Sequence, residues 1–216
     1  MVIIFDLDDT LYEEMTYVQS GFQAVASYLS PLLNLGVDSI IKGLNVEFRI
    51  QRDKIFDRFL KKQGHDSRHL VGKCVSIYRG HPPQIQLFPE ARVCLERLQN
   101  FPLYVVTDGN QRVQRRKFFA LGLNAYIRKC VCTYAYGVHN SKPSPYCFQK
   151  ICQWEKVNPS CVVYIADNPH KDFIGIKSLG FHTIRVLTGP YRTVTVPPAA
   201  EAEQVIHNLS EVYGYL

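Results

Sequence analysis

Short apolar runs alternate along most of the chain with segments whose apolar positions recur at helical spacing. Five runs are rich in β-branched residues and short enough to be strands: Val2–Phe5, Leu103–Val106, Cys130–Thr133, Val162–Ile165 and His182–Leu187. Runs of this kind are typical of strands that are buried on both faces of a parallel sheet. The alternation of strands and helices therefore predicts an α/β fold with a doubly wound, mainly parallel sheet.

Four segments between and after these strands are predicted as helices. Apolar stripes with helical spacing run from Ala91 to Leu98 and from Phe148 to Cys152, and a third runs from Ala202 to Tyr213. A fourth helix is expected over Phe173–Leu179. The third stripe predicts that a helix closes the chain.

The alternation is interrupted early in the chain, where strand patterns are nearly absent. Helical faces there begin at Val18, Ile55 and Leu70, and His81-Pro82-Pro83 is typical of a stiff, extended linker. We therefore expect a helical domain at residues 14–86, inserted into an α/β core formed by residues 1–13 and 87–216.

Composition limits the class of protein. Hydrophobic residues make up 46% and charged residues 20% of 216 positions, as in ordinary globular proteins. No apolar run approaches the length of a membrane span, and no basic stripe is interleaved with aromatic residues, so we expect neither a membrane nor a nucleic acid as a partner. The net charge of +6 suits an anionic ligand but is common in any case.

The N-terminus and the cysteines bear on location. A strand pattern begins at Val2 with no basic segment before it, so we expect no signal peptide. Seven scattered cysteines predict reduced thiols in a cytoplasmic protein. Cys130-x-Cys132 and Cys147-x4-Cys152 lack the spacing of a structural zinc site and are expected to be buried small side chains. The basic cluster Arg112, Arg115, Arg116 and Lys117 is expected to form a solvated helix face.

Polar residues follow four of the predicted strands. They are Asp6, Asp8 and Thr10 after the first, Thr107 and Asp108 after the second, Lys142 after the third, and Asp167 and Asp172 after the fourth. Ligands of open α/β sheets bind beyond the carboxyl ends of the strands. We therefore expect these side chains to meet in one cleft.

The chemistry of this set indicates a metal and a phosphate. Asp6, Asp8, Asp167 and Asp172 cannot all remain ionised close together without a cation. Hard oxygen ligands favour Mg²⁺, which binds through a few carboxylates and a substrate phosphate. Lys142 and Thr107 could then hold phosphate oxygens, and a carboxylate such as Asp6 can attack phosphorus.

These residues carry a resemblance to a known family. Asp6-x-Asp8-x-Thr10, Thr107-Asp108-Gly109, Lys142-Pro143 and Asp167-x4-Asp172 are similar to the four ordered motifs of the haloacid dehalogenase-like (HAD) superfamily. The resemblance spans the predicted core from Val2 to Leu187. It implies a Rossmann-like core, and the helical insertion matches the position of that family's helical cap.

The resemblance also implies a role for each position. Asp6 would be the nucleophile and a metal ligand, and Asp8 the acid/base, with its backbone carbonyl on the metal. Thr107, Asp108 and Lys142 would form the phosphate-binding site. Asp167 would bind Mg²⁺ directly and Asp172 would lie near it.

An acid at Asp8 favours phosphoryl transfer over dehalogenation, because only the former needs a proton for the leaving group. The expected function is a Mg²⁺-dependent phosphatase acting through an aspartyl-phosphate on a small phosphometabolite, either a sugar phosphate or a nucleotide 5′-monophosphate. A sugar phosphomutase and a non-catalytic binding protein remain as alternatives. The oligomeric state is not predicted.

Overall fold

The computed structural model describes residues 1–216, which form two compact units. The first unit combines residues 1–14 with residues 85–216, and the second comprises residues 15–84. The chain thus leaves the first unit soon after its first strand and returns to it about seventy residues later. Each unit has its own hydrophobic core.

The first unit is built on one parallel sheet of six strands. In chain order these are β1 (Val2–Phe5), β2 (Leu103–Thr107), β3 (Lys129–Cys132), β4 (Val162–Ala166), β5 (His182–Val186) and β6 (Gln204–Ile206). Their order in the sheet is β3-β2-β1-β4-β5-β6, and every pair of neighbours is parallel. Residues of β1, β2 and β4 are buried throughout, which explains their apolar sequences. The predicted doubly wound α/β fold is confirmed.

Three α-helices of this unit connect the strands: α5 (Pro89–Arg97), α6 (Gln111–Ala120) and α7 (Tyr146–Glu155). Two of them bury the stripes predicted from the sequence, with Ala91 and Cys94 on α5 and Phe148 and Ile151 on α7. Asn110 begins α6 by accepting hydrogen bonds from two backbone amides of the first turn. The helix therefore starts directly after the polar end of β2.

The helix predicted from Ala202 to Tyr213 is wrong. Residues 204–206 instead form β6, which extends the sheet beside β5, and Leu209–Tyr215 form a 3₁₀ helix. The side chain of Asn208 begins that helix with a capping box completed by Glu211. Pairing with the exposed edge of β5 supplies backbone hydrogen bonds that a helix at 204–206 would have made locally. A strand of three residues leaves little periodicity in the sequence.

The predicted helix over Phe173–Leu179 is also wrong, because only Lys177–Leu179 form a short 3₁₀ turn. Gly175 explains part of this difference. A Cβ atom at that position would lie 1.6 Å from the carbonyl oxygen of Pro143. The two loops that follow β3 and β4 thus approach one another at backbone distance, and only glycine allows this approach.

The second unit consists of helices. They are α1 (Glu14–Leu33), α2 (Val37–Ile50), α3 (Ile55–Lys62) and α4 (Arg68–Gly80). Their core contains the predicted faces of α1, α3 and α4, with Phe22, Phe56 and Cys74 among its buried members. The sequence pattern did not single out α2, which adds Ile40 and Leu44 to this core. A bundle of this kind is what the absence of strand patterns predicted.

A buried carboxylate also stabilises the helical unit. Glu47 on α2 accepts hydrogen bonds from Arg58 Nε at 2.9 Å and from Lys62 Nζ at 2.5 Å, both on α3. These contacts offset the cost of burying the charge of Glu47, whose side chain is 2% exposed. The ion pairs therefore fix α3 against α2.

No single helix is both long and apolar enough to cross a membrane. The pair α1 and α2 satisfies the criterion only when taken together, by length and composition, and it is bent by 119°.

Candidate active site

The carboxyl ends of β1 and β4, which are neighbours in the sheet, bring three aspartates together. Asp6 follows β1 directly, Asp167 follows β4 directly, and Asp172 lies in the loop after β4. One carboxylate oxygen from each residue lies within 4.8 Å of the other two, and all three residues are buried. The Oγ1 hydroxyl of Thr10 donates to Asp167 at 3.4 Å. The fold thus brings Asp6 close to two acids that follow it by more than 150 positions in the sequence.

Lys142 supplies a positive charge to this cluster. Its Nζ lies 2.8 Å from Asp6 Oδ1 and 2.8 Å from Asp172 Oδ1, and its side chain is fully buried. It also donates at 3.0 Å to the hydroxyl of Tyr164 on β4, which in turn donates to Asp172 at 2.9 Å. Burial alone would lower the pKa of Lys142, but Asp172 and Asp6 hold that pKa well above its ordinary value. Lys142 is therefore a permanent cation of the site.

The charge of Lys142 does not neutralise the three carboxylates, because the pKa values of two of them remain raised. Burial raises the pKa of Asp6 to about 6, against the opposing effect of Lys142. Burial, together with the charges of Asp6 and Asp172, raises the pKa of Asp167 to about 9. A further cation would allow these groups to ionise, and an all-oxygen donor set of this geometry fits a hard divalent ion. The residues present therefore fit a metal such as Mg²⁺.

Thr107 and Asp108 follow one another at the end of β2 but differ in their contacts. The buried hydroxyl of Thr107 accepts a hydrogen bond from Gln114 Nε2 at 2.6 Å, which leaves its proton free to be donated. The carboxylate of Asp108 accepts from Thr133 Oγ1 at 2.7 Å and from the backbone amide of Lys142 at 3.1 Å. Asp108 thus ties β2 to the loop that carries Lys142.

Asp8 follows Asp6 by two positions, and its carboxylate has a different set of partners. Its Oδ1 accepts from Lys117 Nζ at 2.6 Å and from the hydroxyl of Tyr12, and its Oδ2 accepts from Gln114 Nε2 at 2.8 Å. Burial would raise the pKa of Asp8, but the charge and hydrogen bond of Lys117 outweigh it and lower that pKa. Asp8 is therefore held as a carboxylate away from the three clustered aspartates.

The expectation that Lys117 lies on a solvated helix face is wrong. Arg112, Arg115 and Arg116 are exposed as predicted, whereas the side chain of Lys117 is only 5% exposed. The signal was present in the sequence, because Val113 precedes Lys117 by four positions and Phe118 follows it. These apolar neighbours place Lys117 on the buried face of α6.

Two further residues near the site were not singled out from the sequence. Lys171 Nζ lies 3.5 Å from Asp108 Oδ2, and the charges of Asp6 and Asp172 help to raise its pKa against the effect of burial. The sequence pattern identifies Tyr164 only as part of an apolar strand. No motif identifies either residue, since each depends on contacts between different strand ends.

The remaining sequence candidates lie outside the cluster. All seven cysteines are free thiols, and Cys132, Cys147 and Cys152 are buried. Asp9 occupies a turn with a positive φ of 55° and accepts a hydrogen bond from the backbone amide of Glu14 at 2.9 Å. No cysteine belongs to the group of side chains that could hold a metal.

Comparison with known proteins defines the class to which this fold and site belong. The model of the haloacid dehalogenase-like hydrolases matches residues 1–180. The chain belongs to this family of hydrolases, as its four motifs predicted.

Two curated relatives are named by their activity, which is more specific than the family. Both are glyceraldehyde 3-phosphate phosphatases. The one from Methanocaldococcus jannaschii is 25% identical over 97% of this chain and 98% of its own length. The one from Methanopyrus kandleri is 26% identical over 88% of this chain and 85% of its own length. Together with the family, these relatives support a phosphatase.

A solved structure agrees in fold. The crystal structure of a 2-haloacid dehalogenase from Pseudomonas syringae pv. Tomato DC3000 has a TM-score of 0.68 and 25% sequence identity, and the match covers 99% of this chain and 97% of that chain. The family fold thus extends over the whole chain, beyond the residues that match the family model.

Proposed function

We propose that the protein is a Mg²⁺-dependent phosphomonoester hydrolase that forms an aspartyl-phosphate on Asp6. The observation that carries the proposal is the joining of Asp6, Asp167 and Asp172 within 4.8 Å around the buried ammonium group of Lys142. A cluster of this kind supplies a nucleophile, an oxygen-ligand set and a phosphate-binding cation at one point.

The metal would be held by the side chains of Asp6 and Asp167 and by the backbone carbonyl of Asp8, with Asp172 close by. When bound, Mg²⁺ would screen the phosphate anion from the Asp6 carboxylate and so allow the two anions to approach. The raised pKa values of Asp6 and Asp167 support a cation at this point, since both acids need one to ionise fully.

Three groups of the chain would bind and orient the phosphate. Lys142 Nζ would contact a phosphate oxygen as a point charge, and the Thr107 hydroxyl would donate its remaining proton to another. Asp108 would act by positioning the site, because its carboxylate already accepts hydrogen bonds from Thr133 and from the Lys142 backbone. Asp172 would hold Lys142 in place through its 2.8 Å ion pair.

The reaction would then proceed in two steps. A carboxylate oxygen of Asp6 bonds to phosphorus while the bond from phosphorus to the leaving oxygen breaks. Asp8, which is a carboxylate in the free site, takes the proton of the incoming phosphate monoanion and passes it to the leaving oxygen. In the second step Asp8 takes a proton from a water molecule, whose oxygen attacks phosphorus and releases inorganic phosphate from Asp6.

We further propose a small sugar phosphate as the substrate, because both curated relatives are named for a phosphorylated triose. Residues 14–86 would form a cap domain that selects the leaving group, and the enzyme would work in the cytoplasm. The seven free thiols support that location, because reducing compartments keep cysteines in this state.

The test is phosphate release from a panel of sugar phosphates and nucleotide 5′-monophosphates, with Mg²⁺ and with a chelator. We expect release that requires Mg²⁺ and is abolished by Asp6→Asn, while the exposed Asp66→Asn control keeps wild-type activity. Detection of an isomeric sugar phosphate instead of free phosphate would identify a phosphomutase. A folded protein that releases phosphate from no member of the panel would refute the proposal in favour of a binding protein.

A further inference from the structure

Both oxygens of the Asp8 carboxylate are held by side chains of α6. Lys117 Nζ lies 2.6 Å from Oδ1 and Gln114 Nε2 lies 2.8 Å from Oδ2. The two residues are three positions apart, so they occupy one face of the helix, one turn apart. Donors on both oxygens restrict rotation of the carboxylate, and the hydroxyl of Tyr12 restricts it further. The carboxylate of Asp8 therefore has one defined orientation.

Burial of Lys117 needs an explanation because a lysine ammonium loses hydration when it is removed from water. The arginines at 112, 115 and 116 on the same helix remain exposed, so α6 does not require a basic residue in its interior. Lys117 lies 2.6 Å from the carboxylate of Asp8, and this ion pair compensates both charges. The buried position of Lys117 thus serves Asp8.

Gln114 extends this arrangement to the phosphate-binding residue. Its single amide group donates to Asp8 Oδ2 at 2.8 Å and to Thr107 Oγ1 at 2.6 Å, and its side chain is buried. An amide nitrogen has two protons, one for each acceptor. One side chain therefore sets the distance between the candidate acid/base and the hydroxyl that would bind phosphate.

We propose that Lys117 and Gln114 are positioning residues that hold Asp8 in register with the phosphate-binding hydroxyl of Thr107. This inference rests on the proposed phosphatase function and deepens it. Proton transfer to a leaving oxygen requires the acid within hydrogen-bond distance of that oxygen, so a fixed Asp8 matters most for leaving groups that need a proton.

The experiment compares two substrates whose leaving groups differ in their need for a proton. An alkoxide leaves slowly unless it is protonated, whereas p-nitrophenolate is a stable anion and leaves without a proton. The measured quantity is the rate of leaving-group release in the first turnover, by chemical quench, in the presence of Mg²⁺. The substrates are p-nitrophenyl phosphate and the alkyl phosphate that the wild type hydrolyses fastest. The first turnover excludes the later hydrolysis step, which is common to both substrates.

We expect Lys117→Met to slow first-turnover release from the alkyl phosphate by about 100-fold, in the range of general acid catalysis, and from p-nitrophenyl phosphate by less than fivefold. Gln114→Met keeps the Lys117–Asp8 ion pair and buries no unpaired charge, so it tests the same link if Lys117→Met folds poorly. Arg116→Met changes an exposed neighbour on α6 and should leave both rates unchanged.

A double-mutant cycle with Asp8→Asn supplies the second readout. If Lys117 acts through Asp8, Lys117→Met should cause less than a twofold further loss in the Asp8→Asn background. Equal losses with the two leaving groups, or losses that multiply in the double variant, would overturn the inference. Wild-type hydrolysis of the two substrates is measured independently, so failure of the positioning role would not be mistaken for failure of the phosphatase function.

Discussion

The ammonium group of Lys142 lies 2.8 Å from the carboxylate of Asp6, although the two residues follow different strands and are 136 positions apart in the chain. Water cannot solvate either charge, because both side chains are buried. The sheet is parallel with the order β3-β2-β1, so the loop after β3 that carries Lys142 and the end of β1 that carries Asp6 lie at the same edge. The ion pair between Lys142 and Asp6 therefore links two loops of the fold and also forms part of the candidate site.

The first prediction concerns removal of this charge. Lys142→Met should lower phosphate release at least 100-fold and destabilise the protein by about 3–5 kcal/mol, since it leaves Asp6 and Asp172 buried without their cation. Phosphate release and urea unfolding measure the two effects. Lys129→Met, at an exposed lysine of β3, is the matched control. A variant with near wild-type activity would show that Lys142 does not bind the phosphate.

A second prediction links metal binding to pH. The folded-state pKa values of Asp6 and Asp167, about 6 and about 9, lie above the ordinary value of 3.8. Such groups contribute stability that is fully present below the unfolded pKa and is lost as the pH rises through the folded pKa. Without metal, the site should therefore become destabilising between about pH 4 and pH 9.

Mg²⁺ binds the ionised carboxylates and should reverse that loss. The increase in Tm caused by Mg²⁺ should thus be larger at about pH 8.5 than at about pH 5.5, two values within the range of the titration, as measured by thermal unfolding with and without chelator. Asp167→Asn should remove most of the pH dependence. An equal increase at both pH values would contradict the assignment of these acids as metal ligands.

The third prediction concerns the contact between the loops after β3 and β4. Gly175→Ala places a Cβ atom 1.6 Å from the carbonyl oxygen of Pro143, so the two loops must separate. We expect a loss of about 1–3 kcal/mol in the free energy of unfolding and at least a tenfold loss of phosphate release, because Lys142 moves with its loop.

The control for this change is Gly72→Ala, on α4, where the added Cβ meets no atom within 4 Å beyond its neighbours in the chain and the backbone of its own helix. That variant should be as stable as the wild type or more stable by up to about 1 kcal/mol, since alanine favours a helix over glycine. If Gly175→Ala behaves like Gly72→Ala, the close approach of the two loops is not required.

A fourth prediction separates the helical unit from the site. The hydrogen bond from Lys62, followed by that from Arg58, lowers the pKa of Glu47 in spite of burial. A depressed pKa contributes stability that is present above the unfolded value and is lost as the pH falls through the folded value. Acid should therefore loosen residues 15–84 below about pH 4.5.

Glu47→Ala should lower the stability of this unit by about 1–3 kcal/mol at neutral pH, because it removes the acceptor of two charged donors. Limited proteolysis at neutral pH would detect earlier cleavage within residues 15–84. Asp66→Ala, at an exposed loop of the same unit, should leave the cleavage pattern unchanged.

Much of this architecture could be predicted from the sequence, for reasons visible in particular residues. Val2–Phe5 and Val162–Ala166 are buried on both faces, so their apolar composition is unambiguous and the acids that follow them mark the strand ends. The order of these strands along the chain, and of the polar motifs that follow them, predicts both the α/β fold and the family. The candidate site residues could be predicted because each of them belongs to a short motif that is visible in the local sequence.

The parts that were missed depend on contacts across the chain. Strand β6 has only three residues, and its pairing with β5 leaves no local pattern. The apolar neighbours of Lys117 indicate that it lies on the buried face of α6, but its pairing with Asp8 depends on a contact between residues 109 positions apart. Tyr164 completes the Lys142–Asp172 network from within an apolar strand. Local composition does not encode such long-range pairings.

The central position of β1 has a consequence for motion. This strand is hydrogen-bonded to β2 on one side and to β4 on the other, and the backbone amide of Asp6 donates to Ile165 at 2.9 Å. Amides in such a strand exchange with deuterium only when the whole unit opens. We therefore expect Ile4 and Asp6 to be among the last amides to exchange, measured by mass spectrometry of peptides. The proposed nucleophile would then be anchored in the slowest-opening segment of the molecule.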